Sequence, residues 1–370
     1  MSQEPDDFDN MVQRLGMERL EGKKYVKRLA GGGQATACIY EEPSGQTVVA
    51  KLLIAPRSPV EVERFIAEAE ALLKLAELRA LTHSIVRGVS KAMRIEGLPI
   101  FYFFMELAPG TSLASRLEHR PPPWNWQEAL EMIMRITSAL QPAHAFQYVH
   151  RDLHPGNIMI DDAAYSQAQW KEDGTSTGVK VLDFGVHTNV ITKMFKPEDP
   201  AIETFRPVGS VKHASPEALA TPARVRPVSD MWSIGVIFYR LLTGKMPFFG
   251  DTLLDLARIT SEGNYKEPDA ILGAKPSEEK VVLKVLRGLL NPDQQMRLVS
   301  GELITIARDI LFEGLANACE NEPELSDLYF RYRGDIWVCP ECRHLVHPFG
   351  SRCSVCGRPQ EEWLHWKFRT

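Results

Sequence analysis

The chain has 370 residues, a formal net charge of −5, and 25% charged against 44% hydrophobic residues. That size suits two lobes plus a small appendage rather than one core. The mild acidity supplies no electrostatic reason to bind nucleic acid, and the longest apolar runs, 98–107 and 231–242, are too short to span a bilayer.

In chain order, residues 1–20 open with MSQEPDDFDN, an acidic segment without the basic start and apolar run of a secretory signal. This and the six cysteines, read as reduced thiols, predict a cytoplasmic protein with no membrane span. Cys38 and Cys319 stand alone and read as small buried hydrophobes. KYVKRLAGGGQATACIYEEPSGQTVVAKLL then has β-like runs around a glycine cluster and a Pro-Ser-Gly turn, a hairpin pattern. SPVEVERFIAEAEALLKLAEL follows with Phe65, Ala69, Leu72, Leu73 and Ala76 at helical spacing behind a Ser-Pro start. After APGTSL the chain is mostly helix-patterned, most clearly in NWQEALEMIMRITSALQPAHAF, SDMWSIGVIFYRLLTG and SEEKVVLKVLRGLL. A small β-rich part thus precedes a larger helical one, an α+β organisation.

Between the helical stretches lies HRDLHPGNIMI, residues 150–160. Asp152 is placed to accept a hydroxyl proton, and Asn157 to present an amide oxygen to Mg²⁺. Alone, an Asp and an Asn in a loop are turn formers. Downstream, VKVLDFG is an apolar strand ending in Asp183, whose carboxylate would be the second metal-binding group beside the Asn157 amide. Taken together, H-R-D-x-x-x-x-N and D-F-G resemble the eukaryotic-type (Hanks-type) Ser/Thr protein kinases over roughly residues 25–315.

The resemblance implies a two-lobed protein kinase fold, with an N-lobe at 21–106 and a C-lobe at 107–335, and ATP between the lobes. It makes Lys51 of VVAK the lysine that holds the α- and β-phosphates. Glu68 is its best glutamate partner, with Glu70 as the alternative register. In FFMELAPGTSL, Met105 backs the adenine pocket, and the backbones of Glu106 and Leu107 hold the adenine edge. VGSVKHASPEAL resembles the end of the activation segment, where Glu217 pairs with Arg297 of NPDQQMR, while Asp230 of the central helix braces the catalytic loop. Ser210 favours Ser/Thr acceptors, so protein substrates and autophosphorylation are expected. A phosphate on Thr204, in a segment that also holds Thr188 and Thr192, would pair with Arg151.

Several residues depart from the pattern. AGGGQA keeps only the central glycine of G-x-G-x-x-G, with Gly31, Gly32 and Gly33 forming a run whose amides can still cradle phosphate. His154 stands where these kinases commonly have a lysine that touches the transferred phosphate; an imidazole can donate a hydrogen bond there. His213 replaces a residue that is usually aromatic. The stretch DDAAYSQAQWKEDGTSTG, 161–178, is longer than its connection needs and reads as an exposed excursion.

CPECRHLVHPFGSRCSVCG gives Cys339, Cys342, Cys353 and Cys356, two C-x-x-C pairs with ten residues between them. Four thiolates complete a closed, structural Zn²⁺ site, and residues 336–370 resemble a zinc ribbon. Two disulfides are the competing reading, disfavoured in a cytoplasmic protein. Five Lys/Arg against three Asp/Glu in this tail do not make a nucleic-acid surface; its aromatic residues pack on the kinase or dock a partner. Two rival functions stand beside the kinase. One is a pseudokinase scaffold whose ribbon recruits a partner, motivated by the glycine loop and His154. The other is a small-molecule kinase, suggested by HPGN and opposed by SPE and the central helix.

Overall fold

A computed structural model describes residues 5–31, 35–77, 85–162, 165, 178–184, 209–220, 224–312, 335–338, 345–346 and 364–367. The chain divides into two units, Met1–Leu78 with Val86–Pro109, and Arg79–Ile85 with Gly110–Thr370.

The first unit is built on an antiparallel sheet of β1 (Arg19–Leu20), β2 (Lys23–Gly31), β3 (Thr36–Glu41), β4 (Thr47–Ile54), β5 (Met93–Arg94) and β6 (Ile100–Glu106), ordered β1-β2-β3-β4-β6-β5. The expected Pro-Ser-Gly turn joins β3 to β4, with Gly45 at φ 83°. Strand β4 is buried at Val48, Val49, Ala50, Leu52 and Leu53, on both of its faces, so it reads as a continuous apolar run rather than an alternation. Helix α2 (Pro59–Glu77) matches the sequence expectation. Pro59 opens it, and Glu61 caps its start by accepting the Arg57 N–H at 2.8 Å. Its buried residues are Phe65, Ala69, Ala71, Leu72 and Leu75; Leu73 and Ala76 are only half-buried.

The separate acidic segment expected at 1–20 is corrected by the structure. Helix α1 (Pro5–Arg14) and β1 belong to the first unit, and Phe8, Val12, Met17 and Leu20 enter one apolar cluster with Cys38, Tyr40, Val48, Ala50, Leu52, Ile100, Tyr102 and Phe104. Each such fully buried side chain contributes about 1.5–3 kcal/mol. Polar ties fix the register of this segment: Tyr40 donates to the Met17 carbonyl at 2.8 Å, Tyr25 to Asp9 at 2.5 Å, and the Arg28 guanidinium lies 4.8 Å over the Phe8 ring. Burial pushes the Cys38 thiol up to about 12, so it is the inert apolar residue expected. The second stretch of the first unit ends at Pro109.

The second unit holds α3 (Leu113–His119), α4 (Trp126–Ala145), α5 (Pro216–Ala220), α6 (Pro227–Thr243), α7 (Leu253–Glu262), α8 (Pro276–Leu289) and α9 (Ser300–Phe312). With them is a small antiparallel sheet of β7 (Thr111–Ser112), β8 (Ile158–Ile160) and β9 (Val179–Val181), ordered β7-β8-β9. Helix α6 is buried along nearly its whole length, Ser229 to Leu242, and so is apolar all round. Pro227 starts it, the Ser229 hydroxyl accepts the Arg226 N–H at 3.1 Å, and Gly244 at φ 73° ends it in the left-handed region that glycine tolerates. Pro142 does not end α4, which runs on to Ala145.

The excursion after β8 is tied down at its base. Tyr165 is held by Arg135, whose guanidinium lies 3.7 Å over its ring and donates to its carbonyl at 3.0 Å. A Cβ on Gly178 would come within 2.4 Å of the Tyr165 backbone, so only glycine fits there. Three further strands, β10 (Asp335–Val338), β11 (Leu345–Val346) and β12 (Leu364–Lys367), form an antiparallel sheet ordered β11-β10-β12. Cys339, Cys342, Cys353 and Cys356 lie outside the described residues, as do Cys319, Gly32, Gly33, Thr188, Thr192 and Thr204. Among the described residues, no helix is long and apolar enough to cross a membrane.

Candidate active site

In the first unit, Lys51 sits on β4 between its partners Ala37 and Phe103, and its Nζ reaches Glu68 Oε1 on α2 at 2.5 Å. Both side chains are largely buried, at 15% and 18% exposure, whereas Glu70 is exposed. The packing that delivers Glu68 is apolar: the Phe65 ring, one turn earlier, lies tilted at 51° with its centroid 4.9 Å from that of Phe103, the residue paired with Lys51. At the end of β6, Arg87 clamps the Glu106 carboxylate with its Nε at 2.8 Å and its backbone N–H at 3.2 Å. The Glu106 N–H in turn donates to the Arg87 carbonyl at 3.0 Å. Leu107 follows, partly exposed. Gly31 closes β2 opposite Thr36.

In the second unit, the loop 150–157 is fixed from below by one carboxylate. Asp230 on α6 accepts the backbone N–H of His150 at 2.8 Å and of Arg151 at 3.0 Å, and the ring Nε2 of His144 at 2.8 Å. This holds Arg151 at φ 67°, a left-handed conformation costly for a residue with a Cβ. Burial alone would raise the Asp230 carboxyl; the hydrogen bond and charge of His144, with the His150 contacts, outweigh it and hold the group below its usual value. His144 Nδ1 lies 2.6 Å from Ser300 Oγ at the start of α9. Neither His144 nor Ser300 was singled out from the sequence; the available signal was a histidine on the buried face of an apolar helix.

His150 is fully buried and ties the loop to the strand that follows. Its Nδ1 accepts the Asp152 N–H at 3.2 Å and its Nε2 donates to the Leu182 carbonyl at 2.7 Å, with its ring against Phe184 at 4.8 Å. Burial pushes its imidazole below the usual value, against the smaller raising effect of Asp230. Asn157 donates from Nδ2 to the Asp152 carbonyl at 3.0 Å, and its own carbonyl accepts the Leu182 N–H at 2.9 Å. Asp152, Asn157 and the residue before Asp183 are therefore joined by direct hydrogen bonds. Asp183 itself follows β9 at φ 51°.

His154 caps the short turn Pro155–Asn157. Its Nδ1 accepts the Gly156 N–H at 3.1 Å, and its ring lies 6.3 Å from that of His213. His213 is buried and ends the 3-10 turn Gly209–His213, which also contains Ser210; its carbonyl accepts from Ser233 of α6 at 2.9 Å. Glu217 and Arg297 form a buried two-pronged pair at 2.7 and 3.1 Å, with Arg297 also donating to the carbonyls of Asn291, Val228 and Pro292. Burial raises the Glu217 carboxyl, but Arg297 brings it net below its usual value. Among the described residues no cluster of three or more metal-ligating side chains is present.

The pattern of the protein kinase domain matches residues 26–306. The chain is 34% identical over 258 residues to the serine/threonine-protein kinase PknA of Mycobacterium tuberculosis, covering 67% of this chain and 52% of that protein. It is 30% identical over 252 residues to the "Probable serine/threonine-protein kinase PknB" of Lactococcus lactis, covering 67% of this chain and 35% of that one. CBL-interacting protein kinase 20 of Oryza sativa is 28% identical over 205 residues, 55% of this chain and 39% of the relative. The chain thus spans between about a third and a half of the length of the curated relatives it matches.

Proposed function

The chain belongs to the protein kinase family, and from that premise we propose an ATP- and Mg²⁺-dependent kinase that moves the γ-phosphate to serine and threonine hydroxyls of protein substrates, itself included. The observation that carries this reading is the hydrogen-bonded unit of Asp152, Asn157 and Leu182–Asp183, locked onto Asp230. The similarity to bacterial Ser/Thr kinases at 30% and 34% identity supports a bacterial-type Hanks kinase.

In this reading Lys51, held by Glu68, grips the α- and β-phosphates, aided by the amides of Gly31, Gly32 and Gly33, and the Glu106–Leu107 backbone meets the adenine. Asp152 orients the acceptor hydroxyl and takes its proton. Asn157 spends its Nδ2 on the Asp152 carbonyl, which leaves the amide oxygen for a cation; with the Asp183 carboxylate this is a hard-oxygen donor set that suits Mg²⁺. Held by Asn157 and Asp183, Mg²⁺ would neutralise charge on the phosphates. Ser210 and His213 lie on the segment that seats the acceptor.

Zinc belongs to the same proposal on cysteine spacing. Cys339 and Cys342 occupy the connection between β10 and β11, and Cys353 and Cys356 the one between β11 and β12. Four thiolates there would supply folding energy to a piece with little core of its own, in the reducing cytoplasm that keeps them reduced. A ribbon so held is a candidate docking face for a protein partner. Elemental analysis should find one zinc per chain, lost when Cys339 and Cys342 are replaced by serine.

The kinase is tested by intact-mass and phosphopeptide analysis after incubation with ATP and Mg²⁺, beside Asp152→Asn. Phosphate on serine or threonine in the wild type alone is the expected result. ATP binding without transfer to itself or to a generic protein substrate would refute catalysis and favour a scaffold.

A further inference from the structure

Along the turn Gly209–His213 and the residue after it, Val211, His213 and Ala214 are buried, whereas Lys212 is only half-buried. The backbone here is fixed: the Ala214 N–H donates to the Val211 carbonyl at 3.1 Å, and the Ser233 hydroxyl of α6 to the His213 carbonyl at 2.9 Å. The turn is also close to the catalytic loop, since the His213 ring lies 6.3 Å from that of His154, two residues beyond Asp152. Lys212 therefore carries a charge outward from a rigid backbone beside the catalytic loop.

A second element meets it there. Lys212 Nζ lies 5.7 Å from the centre of the Phe249 ring, within range of a cation–π contact. Phe249 is 69% exposed, the most of any large apolar side chain among the described residues. Its neighbours hold it out. Phe248 is buried, stacked on Trp232 at 4.9 Å and 16° and edge-on to Tyr265 at 5.6 Å, so the following side chain turns to solvent. A Cβ on Gly250 would come within 2.4 Å of the Leu256 N, so the loop is pressed onto the start of α7. Asp255 of that helix spends its carboxylate on the Thr252 N–H and hydroxyl, and Lys212 makes no ion pair among the described residues. The result is a cation resting on an exposed ring, and its countercharge has to come from solvent or from a bound molecule.

We propose that Lys212 and Phe249 form a specificity subsite that takes an acidic side chain, aspartate or glutamate, flanking the acceptor serine or threonine of a protein substrate. This rests on the kinase reading above and names the substrate class. The carboxylate meets the Lys212 ammonium, and the methylene stem beneath it lies along the Phe249 ring; a basic residue in the same place meets like charge and is disfavoured. The chain's net charge of −5 gives an acidic substrate no help from the global field, so the preference is local to Lys212.

The test uses peptides with a single serine among alanines, each flanking position changed in turn to glutamate or lysine, with the full chain, ATP and Mg²⁺, beside Asp152→Asn. At one flanking position the wild type should favour glutamate over alanine by about fivefold in kcat/KM, the upper range for a partly exposed ion pair, with lysine the poorest. Added salt should shrink that ratio. Lys212→Glu should invert the order at the same position and leave the order elsewhere as it was, and Phe249→Ala should lower the ratio without inverting it. A merely structural role for Lys212 would scale all the peptides alike, so inversion separates recognition from stability. Should Lys212→Glu not fold, Lys212→Met keeps the stem on the ring and should remove the glutamate preference. No acidic preference in the wild type, or the same order in wild type and Lys212 variants, overturns the proposal. No transfer to any peptide by the wild type, or an Asp152→Asn as active as it, is a different result: it removes the kinase reading, and the subsite with it.

Discussion

Replacing Asp230 by asparagine removes one acceptor oxygen from a place where three donors converge. Oδ2 now serves His144 and the His150 N–H, and Oδ1 serves the Arg151 N–H. An asparagine oxygen can serve one side only. If it faces His144 and His150, the amide NH₂ meets the Arg151 N–H donor to donor, which leaves a buried backbone group unpaired at a cost of about 1–3 kcal/mol. The two surviving bonds lose their charge assistance, about 1 kcal/mol each. Relief from burying a full charge offsets part of this, and a net loss of about 3 kcal/mol remains, roughly a hundredfold in the folding equilibrium. All seven tryptophans lie at or after Trp124, so intrinsic fluorescence follows the second unit selectively during urea unfolding. Activity should fall with stability, because Arg151 is no longer held at φ 67°. A change below about 0.5 kcal/mol would refute the bracing role assigned to this carboxylate.

Other tests address separate interactions. Arg297→Met leaves the buried Glu217 uncompensated and should cost about 3–5 kcal/mol, whereas the double replacement Glu217→Met with Arg297→Met should be far milder, since a buried ion pair is often near neutral against an apolar one. Acid should destabilise the second unit: His150 is depressed below 6.5 in the folded state, so the unfolded chain takes up its proton first and stability drops as pH falls below about 6.5. Glu217 and Asp230, also depressed, add to that loss as pH falls below their ordinary values of 4.5 and 3.8. Fluorescence-detected unfolding at pH 8, 6 and 4.5 reads the trend, and a rise in stability on acidification contradicts it. Glu68→Gln should cut phosphoryl transfer sharply while Glu70→Gln leaves it unchanged; the reverse pattern in a kinase assay would reassign the partner of Lys51.

The parts of this fold that repeat locally were legible in the sequence. Helix α2 shows its Ser-Pro start and its apolar stripe, and the catalytic loop and the strand before Asp183 carry residue types at fixed offsets. Helix α1 was hidden by composition: Asp6, Asp7 and Asp9 made the segment read as acidic, although Phe8, Val12 and Leu15 already fall at helical spacing. The contact of His144 with Ser300 spans 156 positions, and no local pattern encodes a pairing that only the packed helices create. The Gly156 amide on His154 was local but invisible for another reason: a motif specifies which residues are present, and only geometry tells which nitrogen carries the proton.

The helix that completes the first unit also separates two kinds of boundary. Likeness to other kinases begins at residue 26, yet Phe8, Val12, Met17 and Leu20 lie before it and fill the same cluster as Tyr40, Val48 and Phe104. A domain cut at the start of the likeness would present that cluster to water as a bare sheet face, ready to associate with other copies. The stretch inherited with the family is therefore shorter than the stretch that folds, and comparative trimming alone would mistake an aggregating fragment for an inactive enzyme.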